Sequence, residues 1–179
     1  MHVLAHVHVR WDFSKAKQAI WPITPHSRHH IFQLDQSRAH NGVEQSMQRA
    51  IELYQAAAAQ GDAKAQFNLG VCYEYGEGVE QSMQRAVELH KASAAQGCAQ
   101  AQHNLALCYA HGNGVKQSMQ RAVELYQASA AQGVAQAQSN LAVCYEHGDG
   151  VKQSMQRAVE LYQASAAQGF AQAQSRLDN

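Results

Sequence analysis

Apolar residues along this chain fall in helical stripes that glycine interrupts at fixed places. Between residues 62 and 97, Ala65, Leu69, Cys72 and Tyr73 stand at i, i+4, i+7 and i+8, which lines one face of an α-helix. This predicts a helix A over about 63–75. Gly76-Glu77-Gly78-Val79 follows, and two glycines one residue apart end a helix and supply the positive φ of a tight reversal. Ser82 then offers an N-cap. Ala86, Leu89, His90, Ser93 and Ala94 line one face of a helix B over about 83–96, which Gly97 closes. Ala86, Ser93 and Ala94 are small enough to let neighbouring helices approach. A larger side chain at Ala86 or Ala122 would overpack, at a cost of about 1–3 kcal/mol.

The block recurs with a period of 36. Gly61, Gly97, Gly133 and Gly169 keep that spacing, as do Gly42, Gly78, Gly114 and Gly150, each followed by Val, and Cys72, Cys108 and Cys144. Residues 117–133 are identical to residues 153–169. A fixed period of this length marks a repeat array in which each unit covers the apolar face of its neighbours. It favours binding over catalysis. The chain divides into an irregular His-rich segment, 1–40, and an array, 41–179. The array comprises a half repeat (41–61, helix B over 47–60), full repeats 62–97, 98–133 and 134–169, and a partial repeat 170–179 with a shortened helix A over 171–178.

The string Ala101-Gln102-His103-Asn104-Leu105-Ala106-Leu107-Cys108-Tyr109, then Gly112, Gly114-Val115, Arg121-Ala122, Leu125-Tyr126 and Ala130, resembles the Sel1-like repeat. Leu69-Gly70 keeps that family's usual pair. Ser before helix B and Leu within it replace the family's frequent Asp and Trp. The resemblance implies an all-α fold, a right-handed α/α superhelical solenoid of 36-residue helix-turn-helix repeats related to tetratricopeptide repeats. It also implies a non-catalytic scaffold or adaptor that binds a protein or an extended peptide through a concave surface lined by the A helices.

The copies are similar enough to compare with one another. The helix A windows 62–75, 98–111 and 134–147 differ at seven of fourteen positions, whereas the helix B windows 83–96, 119–132 and 155–168 differ at two, His90-Lys91 against Tyr-Gln. The differences in helix A include Lys64/Gln100/Gln136, Phe67/His103/Ser139, Val71/Leu107/Val143, Glu74/Ala110/Glu146 and Tyr75/His111/His147. Most avoid the Leu69–Tyr73 stripe and fall on the face expected to line a groove. Asn68, Asn104 and Asn140 form a ladder on the same helices. An amide carries two donors and an acceptor, so such a ladder can clamp a peptide backbone; bonding to the neighbouring repeat's backbone is the reading favoured over it, because side chains so often bond to backbone. The candidate groove residues are Lys64, Phe67, Asn68, Val71, Asn104, Leu107, His111, Asn140 and His147.

Composition narrows the partners. Net charge is zero with His neutral. Residues 1–40 carry five Lys/Arg against two Asp/Glu, and residues 41–179 carry nine against twelve. Neither part offers the basic stripe that neutralises phosphates, so no nucleic acid is expected. No apolar run suits a signal peptide or a membrane span, which predicts a cytoplasmic protein without membrane insertion. Equivalent cysteines of stacked helix pairs lie about 8–10 Å apart, too far for a disulfide. Cys108-x-x-His111 and Cys144-x-x-His147 have half a zinc motif's spacing but lack a second pair, and read as core cysteine beside groove histidine. Neither a catalytic triad nor a phosphate loop emerges, and no cofactor or metal is expected. Two other readings stand beside the adaptor. One is a metal-binding protein using His2, His6, His8, His26, His29, His30 and His40. The other is a fragment of a longer array without autonomous function.

Overall fold

The computed structural model describes residues 39–178. Among them are eight helices and no strand: α1 (Ala39–Ala59), α2 (Ala63–Tyr75), α3 (Met83–Ala95), α4 (Ala99–His111), α5 (Met119–Ala131), α6 (Ala135–His147), α7 (Met155–Ala166) and α8 (Ala171–Leu177). The stretch Glu44–Asn179 forms one unit. Each helix A packs on its own helix B, as α2 on α3, α4 on α5 and α6 on α7, and each helix B packs on the next helix A. The result is a one-dimensional α/α solenoid with a 36-residue period.

Local chemistry sets the helix ends. Helices α3, α5 and α7 begin at Ser82, Ser118 and Ser154, whose hydroxyls accept the backbone N–H of Arg85, Arg121 and Arg157. Helices α2, α4 and α6 end at Gly76, Gly112 and Gly148, with φ of 71°, 75° and 81°. Each of these glycines donates its N–H to the carbonyl of Cys72, Cys108 or Cys144. The second glycine of each turn serves the stacking. A Cβ at Gly114 would lie 2.7 Å from the carbonyl oxygen of Met83, and one at Gly150 would lie 2.6 Å from that of Met119. The turn of one repeat thus rests on the first turn of the preceding helix B, and only glycine fits.

The first copy departs from the expected pattern. Its helix B was expected over 47–60, but α1 starts at Ala39 and runs straight through Gly42-Val43. His40 occupies the place of Gly76, Gly112 and Gly148. Without a residue suited to the left-handed cap, the backbone continues as helix.

Polar side chains recur with the period and lock it. Ser93, Ser129 and Ser165 are fully buried on the B helices and donate to the carbonyls of Ala63, Ala99 and Ala135 at 2.6, 2.7 and 2.7 Å. Gln66, Gln102 and Gln138 donate back to the carbonyls of Ala58, Ala94 and Ala130 of the preceding helix B. Their own oxygens accept from Gln96, Gln132 and Gln168 at 2.8–2.9 Å. Three consecutive helices are tied by one amide at each step. Arg85, Arg121 and Arg157 lie over the rings of Tyr73, Tyr109 and Tyr145, 5.4–5.5 Å from the centroids, and donate to their hydroxyls. Alanine fills the closest approaches: Ala86, Ala101, Ala106, Ala122, Ala137 and Ala142 have no exposed surface. Val87 and Val123 lie outside the expected stripe yet are buried, because they meet the core of the following repeat.

Candidate binding surface on the A helices

All nine candidate residues sit on α2, α4 and α6. Lys64, His111 and His147 are exposed, the two histidines in the last turns of α4 and α6. Asn68, Val71, Asn104, Leu107 and Asn140 are half-buried. Asn68, Asn104 and Asn140 therefore recur on consecutive A helices, each followed three residues later by a half-buried aliphatic, Val71, Leu107 or Val143.

Phe67 marks a correction. Its position was assigned to the open face, but Phe67 is half-buried with its ring 5.8 Å from that of His90. His103, the next copy's counterpart, lies 6.0 Å from the ring of Tyr126, and Ser139 is 2 % exposed. The position points toward the packing with helix B and the next repeat. The asparagines also differ from the expected backbone bonding. Asn140 donates its Nδ2 to Nε2 of His103, one repeat back, at 3.1 Å. Asn104 hydrogen-bonds the adjacent His103 ring. Asn68 finds no hydrogen-bond partner among the described residues.

Further differences between copies follow packing. Gly70 faces His90, whereas the later copies carry Ala106 with Tyr126 and Ala142 with Tyr162 at the same two positions. A Cβ at Gly70 would lie 2.7 Å from Cε1 and 2.8 Å from Nδ1 of His90. The His90 side chain is completely buried, its Nε2 3.4 Å from Oε2 of Glu74 and its Nδ1 without a partner. In the third copy Tyr162 donates its hydroxyl to Glu146 at 2.6 Å, and Arg176 approaches the same carboxylate at 3.7 Å. In the middle copy Ala110 stands where Glu74 and Glu146 stand. Sequence reasoning missed this grouping. The signal was present: Gly70 changes to Ala in the same copies in which His90 changes to Tyr.

Burial dominates the electrostatics of the interior. It pushes the Cys108 and Cys144 thiols up to about 11 and raises Cys72 as well. It raises the Tyr126 and Tyr162 hydroxyls, with Glu146 adding to the second. It lowers His103, an effect that the bond to Asn104 and the charge of Glu74 partly offset. All four cysteines are free; three are buried and Cys98 is half-buried. Cys108 lies in the core while His111 is exposed, so the two occupy different environments. No cluster of three or more His, Cys, Asp or Glu among the described residues is placed to hold a metal. His2, His6, His8, His26, His29 and His30 lie outside the described residues, and His40 falls in α1. No helix among the described residues is long and apolar enough to cross a membrane.

A helical-pair solenoid with a strip of amide and aliphatic side chains on one set of helices belongs to the class of α/α repeat proteins. Within it, the chain belongs to the Sel1 repeat family, whose model matches residues 38–62, 63–98, 99–134 and 135–170. Proteins of this family generally mediate protein–protein interaction. Among solved structures, the chain is similar to a Sel1 repeat protein from Oxalobacter formigenes, at 34% identity and a TM-score of 0.68, covering 73% of this chain and 53% of that one. It is also similar to a protective antigen of uropathogenic Escherichia coli described as having the SLR fold, at 35% identity and a TM-score of 0.67, covering 69% and 27%. The chain thus spans about a quarter to a half of the length of these two relatives. Cysteine-rich protein B of Helicobacter pylori, at 16% identity and a TM-score of 0.58, covering 74% of this chain and 96% of that one, shares the fold. No curated protein sequence matches.

Proposed function

We propose that the array is a non-catalytic adaptor that holds an extended peptide segment of a protein partner against the A-helix face, on the concave side of the solenoid. One observation carries this reading: half-buried Asn68, Asn104 and Asn140 recur at the repeat spacing, each beside a half-buried Val71, Leu107 or Val143. An amide offers both a donor and an acceptor to a peptide backbone, and a neighbouring aliphatic contributes apolar contact without fixing a side-chain identity. Lys64, His111 and His147 border this strip as exposed groups. The surface carries little fixed charge, which suits recognition through the backbone. The unbridged thiols fit a reducing cytosol, where we place the encounter.

The test is selection of a displayed random-peptide library on the full chain, followed by affinity measurement on variants. Replacing Asn68, Asn104 and Asn140 together by Ala should leave the circular dichroism nearly unchanged and weaken the selected peptide at least about tenfold, or 1.4 kcal/mol. Unchanged affinity in the folded triple variant refutes the groove and moves the search to the exposed B-helix face.

A further inference from the structure

The three asparagines are chemically alike but not equivalent in the array. Asn140 donates Nδ2 to Nε2 of His103 at 3.1 Å, across the boundary between two repeats. A ring nitrogen accepts only when it carries a lone pair, so this bond requires neutral His103 with its proton on Nδ1. With Nδ2 engaged, the Asn140 carbonyl oxygen is the end left to a ligand. Protonated imidazole has two donors and no acceptor. The Asn140 amide would then turn about its Cβ–Cγ axis, present its oxygen to His103 and leave its NH2 outward. The corresponding neighbour of Asn104, one repeat back, is Phe67, which has no group to accept or titrate.

We propose that His103 is a positioning residue that sets which hydrogen-bonding end Asn140 offers: an acceptor when the ring is neutral, a donor when it is protonated. The ligand part of this inference rests on the groove reading above. The ring is half-buried and sits among identifiable groups. Glu74 on α2 acts on it through its charge, and Asn104 on its own helix bonds to it. Tyr126 on α5 touches it at 6.0 Å between centroids. Helix α3 also packs on α4, and α6 brings the Asn140 amide. Glu74 favours the charged ring and burial opposes it. The ring therefore changes state below the usual histidine value of about 6.5. One amide in a row of three thus reverses its polarity as the ring takes up a proton, and a backbone that matched the row at neutral pH no longer matches it.

The test uses the full chain labelled with 15N. Long-range 1H–15N spectra report the tautomer of His103, and the side-chain NH2 signals of Asn140 report its partner. At neutral pH His103 should carry its proton on Nδ1. As pH falls below about 6.5, the Asn140 NH2 signals should move with the midpoint of the His103 ring. In His103→Phe, which copies the first repeat, the Asn140 signals should stay flat. His103→Gln provides a second variant that accepts without titrating and should also be flat. An Nε2-protonated ring at neutral pH, Asn140 signals unmoved through the His103 titration, or motion that persists in either variant would overturn the inference. No ligand enters this readout. A failed peptide selection would therefore leave the switch standing, and a flat titration would leave the groove reading untouched.

Discussion

Gly70→Ala should destabilise the protein, although the same change in the interior of an ordinary helix stabilises it. Ala is favoured over Gly by about 1 kcal/mol at such a site. Here the new methyl would lie 2.7, 2.8 and 3.3 Å from three atoms of the His90 ring, against an ordinary contact of about 3.5–4.0 Å. The ring has little room to retreat. It is fully buried, Glu74 holds Nε2 at 3.4 Å, and Phe67 stands 5.8 Å away. Overpacking of a close-packed site costs about 1–3 kcal/mol, so the net change is a loss of up to about 2 kcal/mol. For a chain of this size that lowers the melting temperature by up to about 8 °C. The double variant Gly70→Ala/His90→Tyr rebuilds the Ala–Tyr pair of the later copies, with Glu74 placed as Glu146 is for Tyr162. It should recover most of the loss, with a coupling of about 1 kcal/mol or more between the two sites. Urea and thermal unfolding of wild type, both single variants and the double variant supply the cycle. A Gly70→Ala protein that melts higher than wild type would show that His90 does not crowd this position.

Ser129→Ala removes the bond to the Ala99 carbonyl from a fully buried site and should cost about 1 kcal/mol in urea unfolding. His103 has its folded-state value lowered by burial, so the unfolded chain takes up the proton first. Its contribution is complete above about pH 6.5 and is lost as pH falls through the folded value; the gap in melting temperature between wild type and His103→Gln should change across that window. With Cys108 and Cys144 raised to about 11 by burial, a thiol reagent at mildly alkaline pH should modify half-buried Cys98 first and the other three only on unfolding, as peptide mapping would show. Deleting 170–179 removes buried Ala173 together with Phe170 and Leu177, which pack on the core, and should lower the melting temperature and promote self-association in size-exclusion chromatography.

The helical architecture was legible because its signals are local and repeated. The stripe through Ala65, Leu69 and Cys72, the Ser82 cap and the Gly76 stop each depend on a few neighbouring residues, and the bounds of α2 agree with the helix expected over about 63–75. The start of α1 was not legible from the Gly42-Val43 repeat mark. The feature that ends an A helix is the first glycine of the turn, and His40 replaces it. Val87 was missed because a single-helix stripe describes one contact face, whereas a B helix in a solenoid has two, toward its own A helix and toward the next. The open face was misjudged at Phe67, His103 and Ser139 for the same reason. Helical geometry orders positions around one axis, but which of them meets the next repeat depends on how consecutive helices cross.

Most of the variation among the A helices therefore follows packing. Of the positions at which the A helices differ, Gly70 changes with its partner on helix B, Glu74 and Glu146 bond to the helix B residue opposite them whereas Ala110 cannot, and Phe67, His103 and Ser139 lie in the packing between helices. Asp62 differs because it caps α2 through the N–H of Ala65 at 2.7 Å, a bond that Cys98 and Val134 do not make for α4 and α6. Three sets remain: Lys64/Gln100/Gln136, Val71/Leu107/Val143, of which Leu107 and Val143 also pack on the core, and Tyr75/His111/His147. The first is exposed throughout, the second half-buried throughout and the third exposed throughout. Beside them run asparagines that do not change. If a backbone is held by the constant amides, discrimination among peptides falls to these three sets. Exchanging Lys64 and Val71 for the Gln100 and Leu107 of the next copy should then alter which peptides are selected while leaving stability within about 0.5 kcal/mol, since the exchange touches neither a buried partner nor a cap. A changed stability with an unchanged peptide preference would assign these positions to the fold instead.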